Sequence, residues 1–458
     1  MRALLEKPRG RFVVVGAGKQ GIAAGRLLRR LGAWCAFADD GPRDAVRERL
    51  SSAGLTDVPS TTIAESRAEL ADVVVLSAGV PLTHPGLSLA RARGVPFVGE
   101  IDLAWPHLAP DVRAVAITGT NGKSTTTTIA GAIASVVDPG AFVGGNLGTP
   151  LCEAVVDGAR PRTVVLELSS YQLEIMSVPR FAAVAVTNLS PDHLDRYPSV
   201  DAYFAAKERI FSLLDEGGGS VVNRADVPSR ARFVHVARGR TFDFDVARGE
   251  EGVEIDGRVA RVVRGPSTDD VALDSPHLVG RHNLQNAACA IALMHDAGVS
   301  LDACRRGLAR YAGIAHRLER VVEHAGVVFV NDSKATNVDA AIKAVMSFER
   351  GVHLIAGGRG KGAPYAPLVE ASRGRVARVY CIGEDAGVIG EAFDGVCDVV
   401  ACGDLGRAFS RASEAAERGD VVLLAPACAS FDQWKNYEER GQAFASMAKA
   451  LARGGGKR

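Results

Sequence analysis

The chain has 458 residues, which predicts about two to four domains, each large enough to bury its own core. Hydrophobic residues make up 47% and charged residues 23%, so a disordered chain and a coiled coil are both excluded. The formal charge of +1 gives no general attraction for nucleic acid or an anionic membrane, so any anionic ligand must be held by local groups. The eight cysteines show neither zinc-site nor disulfide spacing and are expected to be reduced.

Neither end of the chain predicts targeting to a membrane. Residues 1–10 carry charges and a proline without an apolar stretch, and no run approaches the roughly 18 apolar residues of a membrane span. We therefore expect a cytoplasmic protein whose partners include neither a nucleic acid nor a membrane. We also expect a monomer with small-molecule partners.

Short apolar runs alternate with amphipathic helical patterns, which predicts an α/β fold with parallel sheets. We expect a Rossmann-like domain at 1–102, a P-loop ATPase-type domain at 103–313 and a second Rossmann-like domain at 314–458. Residues 224–275 alternate in short runs broken by Gly and Asp, which predicts a small β insertion. Residues 453–458 are expected to form a frayed tail. Strands are predicted at 11–16, 34–39, 73–77, 115–118, 163–168, 182–187, 353–356, 379–382 and 421–424, with a further one from 327, and helices at 20–31 and 201–214.

A glycine-rich turn follows the first predicted strand. Its glycines match GxGxxG, and two aspartates end the next strand at the spacing of a dinucleotide-binding fingerprint. This arrangement places backbone N–H groups against a phosphate, although a plain tight turn is an equally good interpretation. Two residues that end a later strand are expected to line the same crevice. The residues concerned are Gly16, Gly18, Gly21, Asp39, Asp40, Ser77 and Gly79.

A second glycine loop follows the strand at 115–118 and opens a Thr-rich helix. Its amides can hold phosphates, Lys123 can reach terminal phosphoryl oxygens and Ser124 can ligate Mg²⁺. Ile117 stands where the first Gly of GxxxxGK[ST] belongs, so the loop is a shortened variant. Arginine supplies 44 of the 54 cations, so a lysine here is informative, and we favour triphosphate binding over a plain turn. The loop comprises Gly119, Thr120, Asn121, Gly122, Lys123, Ser124 and Thr125.

Three further positions in the central domain carry groups suited to metal binding. Glu167 ends the run VVLEL, where a metal-holding carboxylate belongs, although a surface acid is the alternative. Residues 192–195 (DHLD) offer carboxylates and an imidazole, with a surface turn equally consistent. Lys207 lies in the helix at 201–214, where position alone predicts a solvated side chain. The apolar face of that helix is predicted to contain Tyr203, Phe204, Ile210, Phe211 and Leu214.

Polar segments recur where strands end or helices begin in the rest of the chain. Residues 281–286 (RHNLQN) precede an Ala-rich helix, where Asn283 and Asn286 can address a base edge, although N-capping is the stronger interpretation for each alone. Residues 331–337 (NDSKATN), 357–361 and 426–437 each follow an apolar strand, the place where α/β folds bind ligands.

Together these segments resemble the Mur ligases of peptidoglycan synthesis. TGTNGKST, LELSSYQLE, DHLDRY and HNLQNA are similar to segments shared with the folylpolyglutamate ligases, whereas NDSKATN and PACASFDQWKNYEERG resemble the branch that adds D-glutamate. The resemblance runs in order from residue 16 to residue 441. It implies a UDP-binding domain, a central ATPase, and a C-terminal domain that closes on ATP and binds the incoming amino acid.

The resemblance assigns the first glycine turn to the UDP part of a nucleotide-sugar substrate. The implied contacts are Gly18, Lys19, Gln20, Asp39, Asp40, Ser77 and Gly79, with Asn146 and Ser169 at the muramoyl-alanine end. Gly41 offers no side chain where relatives can carry a polar or basic one, so that part of the uridine site departs from the pattern.

It also implies two Mg²⁺ ions, the first held by Ser124 and Glu167 and the second by His193 and Lys207. Lys207 falls on a lysine that the family carbamylates. A lysine amine can take up CO₂ and become an anion beside the metal, which an arginine cannot do.

The implied reaction adds D-glutamate to UDP-N-acetylmuramoyl-L-alanine through an acyl phosphate made from ATP. Two anions must meet, so charge neutralisation matters more than acid or base groups. The implied catalytic residues are Lys123, Glu167, His193, Lys207 and Arg317. ATP would also contact Asn283, Asn286, Arg317 and Asp332, and D-glutamate would contact His193, Lys334, Thr336, Lys361, Ser430 and Tyr437.

Three alternatives remain open at this point. An NAD-dependent oxidoreductase would use the first glycine turn but leave the second loop and the Lys207 helix without a role. Another ligase of this fold, or one that takes L-glutamate, would keep the mechanism, although NDSKATN argues against other acceptors. A binding protein with an inactive loop is disfavoured by the intact set of Lys123, Ser124, Glu167, His193 and Lys207.

Overall fold

The computed structural model describes residues 1–194, 196–233 and 239–454, and it confirms the α/β class. The strands are β1 Arg11–Val15, β2 Trp34–Ala38, β3 Ser60–Thr61, β4 Val73–Leu76, β5 Phe97–Val98, β6 Arg113–Thr118, β7 Phe142–Gly145, β8 Thr163–Glu167, β9 Phe181–Val186, β10 Leu214–Val222, β11 Arg240–Thr241, β12 Gly252–Asp256, β13 Val259–Arg264, β14 Ser267–Ala272, β15 Glu319–His324, β16 Val327–Asn331, β17 Val352–Gly357, β18 Val376–Ile382, β19 Asp398–Gly403 and β20 Val421–Leu424.

The α-helices are α1 Arg2–Glu6, α2 Lys19–Arg30, α3 Arg43–Ser52, α4 Ser88–Ala92, α5 Glu100–Ala104, α6 Lys123–Val137, α7 Leu151–Val156, α8 Ser170–Leu173, α9 Val200–Glu208, α10 Val227–Phe233, α11 Arg281–Asp296, α12 Leu301–Arg310, α13 Val338–Val345, α14 Ala366–Ser372, α15 Ala386–Phe393, α16 Leu405–Ala415 and α17 Tyr437–Gly454. Short 3-10 helices occur at Ala68–Leu70, Pro85–Leu87, Trp105–His107 and Arg209–Leu213. Within this part of the chain, no helix is both long and apolar enough to cross a membrane.

The chain forms two compact units. The first contains Met1–Leu273 and Gln285–Tyr311, and the second contains Asp274–Leu284 and Ala312–Arg458.

The first unit begins with a parallel sheet in the order β3-β2-β1-β4-β5, the strand order of a Rossmann-type half. β1 and β4 are almost wholly apolar and buried, as strands covered on both faces must be. Their carboxyl ends lie side by side, with Val15 paired to Leu76. This pairing brings the turns after both strands to one edge of the sheet.

The same unit contains a second parallel sheet in the order β11-β10-β9-β6-β8-β7. Ile117 of β6 pairs with Glu167 of β8, and Thr118 pairs with Val186 of β9. Gly145 of β7 also pairs with Glu167. The residues that end four neighbouring strands therefore meet at one carboxyl edge.

Two buried carboxylates on α5 attach the first sheet to the second within this unit. Glu100 accepts hydrogen bonds from the amides of Leu151 (3.3 Å) and Cys152 (3.0 Å). Asp102 accepts them from the amides of Ser177 (2.8 Å) and Val178 (2.7 Å). Burial raises the pKa of Glu100 to about 7, and the backbone amides only partly offset that rise.

The predicted β insertion is confirmed only in its second part. β12, β13 and β14 form an antiparallel sheet of their own. However, residues 227–233 form α10, so the prediction is wrong there. Arg240–Thr241 is a strand as predicted, but it pairs in parallel with β10 and so extends the second sheet. Residues 234–238 lie outside the described residues.

Two other expectations in the chain need correction. The predicted helix at 201–214 is α-helical only to Glu208, and Leu214 already begins β10. β10 was missed because its first half, LDEGGG, is acidic and glycine-rich rather than apolar. Arg453 and Gly454 of the predicted tail belong to α17, and residues 455–458 lie outside the described residues.

The second unit is built on a sheet in the order β15-β16-β20-β17-β18-β19, in which only the edge strand β15 is antiparallel. Leu424 of β20 pairs with both Asn331 of β16 and Ile355 of β17. The loops after these three strands are consequently neighbours at the carboxyl edge.

Candidate active site

The glycine loop between β6 and α6 has a backbone that only glycine fits. Gly119 has φ +140° and Gly122 has φ +82°, both in the region that L side chains rarely adopt. A Cβ on Gly119 would lie 2.0 Å from the hydroxyl of Thr187, and one on Gly122 would lie 2.2 Å from Oδ1 of Asn286. α6 starts immediately afterwards at Lys123, so its free amides face the loop and favour an anion there.

The end of β9 fixes the conformation of this loop. The Thr187 hydroxyl donates to the Asn121 carbonyl at 2.6 Å, and Oδ1 of Asn188 accepts from the Asn121 amide at 2.9 Å. The Ser190 amide donates to the Thr120 hydroxyl at 3.0 Å. Sequence reasoning did not single out Thr187 or Asn188, although both end the apolar run AVAVTN, which was a usable signal.

Two lysines converge on one carbonyl of the loop. Lys123 Nζ and Lys207 Nζ each donate to the Gly119 carbonyl at 2.9 Å. Within the described residues Lys207 has no ion-pair partner, and its ammonium lies 4.6 Å from the centroid of the Tyr203 ring. Burial, and secondarily the charge of Lys123, holds the pKa of Lys207 well below its usual value.

The solvated position expected for Lys207 from the helix pattern alone is therefore wrong. Tyr203, Ala206 and Lys207 form the buried face of α9, as their spacing of three and four residues allows. The Tyr203 hydroxyl donates to the Thr120 hydroxyl at 3.3 Å, which docks the helix onto the glycine loop. Tyr203 is another residue whose role in the site was not predicted.

Glu167 is a buried carboxylate with a free oxygen. The register of β7 and β8 pairs Gly145 with Glu167, so Asn146 lies beside this carboxylate. The Asn146 side chain donates to Oε1 of Glu167 at 2.7 Å. Its Oε2 is buried and finds no hydrogen-bond partner among the described residues. The alternative of a surface acid is wrong, since only 2% of Glu167 is exposed.

These groups fit a hard cation. A buried carboxylate oxygen without a partner needs a cation or a proton, and the hydroxyl of Ser124 lies at the start of α6 on the same sheet edge. No group of three His, Cys, Asp or Glu side chains suited to a metal occurs in the described parts of the chain. The predicted ligands include a serine and a lysine, so such a group was not expected.

His193 lies beside the same helix. Its backbone has φ +53°, and a hydrogen bond of 2.8 Å joins its Nδ1 to the Tyr171 hydroxyl. Its ring is 5.8 Å from that of Tyr203, so His193 and Lys207 both contact Tyr203. Asp192 accepts from the His193 amide at 2.9 Å, and Asp195 lies outside the described residues.

At the edge of the first sheet, two glycines are required by packing and two are not. A Cβ on Gly16 would lie 2.9 Å from Cβ of Ser77, and one on Gly21 would lie 1.9 Å from the Gly16 carbonyl. A Cβ on Gly18 or Gly79 would have nothing within 4 Å. Open space beside the backbone at Gly18 and Gly79 is suited to a ligand rather than to packing.

The predicted polar side chains surround this open space. Asp39 accepts from the amides of Ala17 (2.7 Å) and Gly41 (2.8 Å), and Asp40 accepts from the Ile63 amide at 2.8 Å. These carboxylates stabilise the turns here.

Three other predicted residues of this region also have defined neighbours. The Ser77 hydroxyl donates to the Gly16 carbonyl at 2.9 Å, and Oε1 of Gln20 accepts from the Ala78 amide at 3.4 Å. Lys19 reaches the second sheet and donates to the Gly148 carbonyl at 2.7 Å. Ser169 caps α8 through its hydrogen bond with the Gln172 amide.

The two asparagines of RHNLQN lie inside a helix. α11 begins at Arg281, so the interpretation of either asparagine as an N-cap is wrong. The Asn283 side chain donates to the Val279 carbonyl at 2.7 Å, and Oδ1 of Asn286 accepts from the Thr126 hydroxyl at 3.4 Å. Asn286 thereby belongs to the wall of the glycine loop.

In the second unit, Arg317 lies in a strained loop, and Asp332 is hydrogen-bonded to that loop. His316 and Leu318 have φ +63° and +41°, and the Leu318 amide donates to Asp332 Oδ1 at 3.3 Å. Burial raises the pKa of Asp332 to about 6, while the charges of Arg317 and Lys334 oppose that rise. Nε of Arg317 is buried without a hydrogen-bond partner in the described residues, so this cation is poised for an anion.

The loops after β16, β17 and β20 gather the predicted acceptor residues. The Lys334 ammonium lies 5.6 Å from the ring centroid of Tyr437, which opens α17. Arg359 pairs with Ala429 by backbone hydrogen bonds, so the loop of Lys361 is joined to that of Ser430. Thr336 lies in the same loop as Lys334, its amide bonded to the Lys334 carbonyl.

The glycine loop between β6 and α6, the two lysines that donate to it and the free oxygen of Glu167 form the arrangement typical of P-loop nucleotide-binding proteins. Comparison with known proteins gives the family. The pattern of the Mur ligase middle domain matches residues 117–294, and that of the Mur ligase glutamate ligase domain matches residues 316–428. The chain belongs to the Mur ligase family.

Curated relatives match almost the whole chain. A UDP-N-acetylmuramoylalanine–D-glutamate ligase of Myxococcus xanthus is 45% identical, covering 96% of this chain and 98% of the relative. One of Anaeromyxobacter dehalogenans is 44% identical, covering 97% and 98%. The solved structure of a UDP-N-acetylmuramate–alanine ligase of Thermotoga maritima is 17% identical, with a TM-score of 0.58 over 96% of this chain and 100% of that one, and shows the shared fold.

Proposed function

We propose that the chain is an ATP-dependent ligase that joins D-glutamate to UDP-N-acetylmuramoyl-L-alanine in the cytoplasm, as a step of peptidoglycan precursor synthesis. The observation that carries this proposal is the match over 96% of the chain to a ligase of that name, at 45% identity. We propose the three domains 1–102, 103–313 and 314–458 for the nucleotide sugar, ATP and the amino acid.

The nucleotide sugar is proposed to bind at the edge of the first sheet. The open backbone at Gly18 and Gly79 leaves room for a diphosphate against amides, and Asp39 and Asp40 lie close by for hydroxyl groups. Lys19 and Gln20 open α2, where the helix N-terminus favours the same anion. Ser77 completes this wall. Asn146 and Ser169 are proposed to contact the muramoyl-alanine end.

Two Mg²⁺ ions are proposed, one held by Ser124 and Glu167 and the other by His193 and Lys207. The free oxygen of Glu167 supports the first site. Mg²⁺ bound there would neutralise the phosphate charge that otherwise repels a carboxylate.

Lys207 is proposed to carry a carbamate. Its neutral amine would attack the carbon of CO₂ and lose a proton, which leaves a carbamate anion. In the unmodified protein the two lysine amines share the Gly119 carbonyl, and the negative charges of Asp192 and Glu167 only partly offset the effect of burial and of Lys123 on the pKa of Lys207. A carbamate would replace the repulsion between the two lysines by attraction to Lys123 and would supply oxygen ligands.

The proposed reaction begins when the L-alanyl carboxylate attacks the γ-phosphorus of ATP and ADP leaves. The amine of D-glutamate then attacks the acyl carbon, and phosphate leaves from the tetrahedral intermediate. Lys123 and the amides of residues 119–125 would hold the phosphates, and the unpaired Nε of Arg317 would add positive charge. Asn283 and Asn286 are proposed to contact adenine, and Asp332 the ribose.

D-glutamate is proposed to bind the second unit's loops, because two carboxylates call for cations and hydroxyls. The residues proposed for this are Lys334, Thr336, Lys361, Ser430 and Tyr437, together with His193.

Phosphate release tests the proposal. Protein, ATP, Mg²⁺ and UDP-N-acetylmuramoyl-L-alanine are mixed with D-glutamate, L-glutamate or no amino acid. Release that requires D-glutamate is expected. Release with L-glutamate alone would overturn the acceptor, and no release in any arm would overturn the reaction.

A further inference from the structure

Arg440 is a fully buried arginine in the second unit without an acidic partner. Only 1% of it is exposed. No carboxylate of the described residues forms an ion pair with its guanidinium, and the charge of Asp432 acts on it from a greater distance. A buried charge is costly unless it is hydrogen-bonded, so neighbouring carbonyl and hydroxyl groups must stabilise this guanidinium in place of a carboxylate. Desolvation lowers its pKa only to about 10, so the group stays charged near neutral pH.

Its hydrogen bonds join the loops at the carboxyl edge of the sheet. Nε donates to the Ser333 hydroxyl at 3.0 Å, and Nη2 donates to the carbonyls of Ser333 (3.0 Å) and Cys428 (3.1 Å). A Cβ on Gly358 would lie 3.2 Å from Nη1, so this glycine lets the third loop approach. The loops after β16, β20 and β17 thus surround one guanidinium.

The same contacts extend to the start of α17. The Ser333 hydroxyl donates to the Tyr437 carbonyl at 2.8 Å, and the Asn331 side chain donates to the Gly441 carbonyl at 3.1 Å. Lys334 follows Ser333 directly, and Ser430 lies two residues after Cys428. A shift of the guanidinium would therefore move Lys334, Ser430 and Tyr437 together.

We propose that Arg440 is a positioning residue for the amino-acid acceptor: it ties together the loops that carry Lys334, Ser430 and Tyr437, and adds a buried positive charge to the wall of their site. This rests on the proposed function, in which a dianionic amino acid binds these loops. An arginine fork can fix several carbonyl and hydroxyl groups at once, which lysine cannot reproduce. A buried positive charge without an ion-pair partner favours an anion over a neutral ligand.

The test is steady-state kinetics of wild type, R440K and R440Q, with each substrate varied in turn. For R440Q we expect the KM for D-glutamate to rise about 100-fold, and for R440K about 10-fold, because lysine keeps the charge but loses the fork. The KM for the nucleotide sugar should stay within about two-fold, since its proposed site is at the edge of the first sheet. The KM for ATP should change less than that for D-glutamate, because only Asp332 among the proposed ATP contacts adjoins Ser333.

Two control variants separate positioning from general damage. Y380F removes a buried hydrogen bond to His353 in the same sheet, and R407Q removes an exposed charge from α16. Both should leave the KM for D-glutamate unchanged, although Y380F should lower the thermal unfolding midpoint. Equal changes in all three KM values for R440Q, or a change in kcat alone, would overturn the positioning role.

S333A covers the case in which the Arg440 variants do not fold. It removes the hydroxyl that accepts from Arg440 and donates to the Tyr437 carbonyl, and should raise the KM for D-glutamate about five-fold without changing the KM for the nucleotide sugar. An unchanged KM in a folded S333A would overturn the proposal. Wild type without D-glutamate-dependent turnover would overturn the proposed function, and the Arg440 role with it, whereas active wild type with unaffected variants would overturn the Arg440 role alone.

Discussion

The glycine loop of the first unit and the three loops of the second unit handle buried charge in opposite ways. Around the glycine loop, the Glu167 carboxylate has an oxygen without a partner and the Lys207 ammonium shares one carbonyl with Lys123. In the second unit, the charge of Arg440 is met by three hydrogen bonds to protein groups. The first arrangement has groups that a bound cation and phosphates would satisfy, whereas the second is already hydrogen-bonded within the protein.

This difference predicts different kinetic consequences. Changes at the glycine loop should affect the chemical step, because its charges meet the reacting groups. Changes at Arg440 should affect the binding of one substrate, because the guanidinium acts through the loops that it joins.

The largest effect is expected for Lys207→Arg. The variant keeps a positive charge but cannot form a carbamate, so turnover should fall about 1,000-fold if the anion is needed. Turnover and uptake of isotopically labelled bicarbonate would be measured together. Lys449→Arg, at an exposed position on α17, is the matched control. Near-normal turnover of Lys207→Arg would show that the site does not need the modification.

A somewhat smaller effect is expected for Glu167→Gln. The amide keeps the shape of the side chain but removes the charge from the oxygen that has no partner, so turnover should fall about 300-fold. The Mg²⁺ concentration for half-maximal rate should rise with it. Asp157→Asn, which lies just after α7, is a control acid in the same unit. Unchanged dependence on Mg²⁺ would contradict a metal at Glu167.

Glu100 differs from Glu167 in its hydrogen bonds, because both carboxylates are buried but both oxygens of Glu100 accept from backbone amides. Its pKa of about 7 lies above the usual 4.5, so the folded protein holds a proton that the unfolded chain releases. The stability from this proton is fully present below pH 4.5 and is lost as pH rises through 7.

Glu100→Gln should therefore remove a pH dependence of unfolding on the order of 3 kcal/mol between about pH 5 and about pH 8. Urea unfolding of wild type and variant across that range measures the difference. Glu48→Gln, on the exposed side of α3, should behave as wild type at every pH. Parallel pH profiles for wild type and Glu100→Gln would contradict the raised pKa.

The sequence was sufficient for the parts of the site that depend on local structure. The glycine loop and the position of Glu167 follow from a strand, a turn and a helix within a short stretch. The burial of Lys207 does not, because it depends on a contact with Gly119, which is 88 residues away. Arg440 was not predicted, because a single arginine in an arginine-rich chain carries little information. Its contacts also depend on loops that are far apart in sequence.

The smallest effect is expected for Gly18→Ala. This variant tests whether a ligand binds at the edge of the first sheet. Gly18 has an ordinary φ of −80° and a Cβ there would meet nothing within 4 Å, so stability should be unchanged. A bound diphosphate would meet the new methyl group, and the KM for the nucleotide sugar should rise about ten-fold. Gly21→Ala is the contrasting variant, because its Cβ would lie 1.9 Å from the Gly16 carbonyl and should lower the unfolding midpoint instead. An unaltered KM in Gly18→Ala would mean that no ligand approaches this backbone, and that the open space is a property of the turn alone.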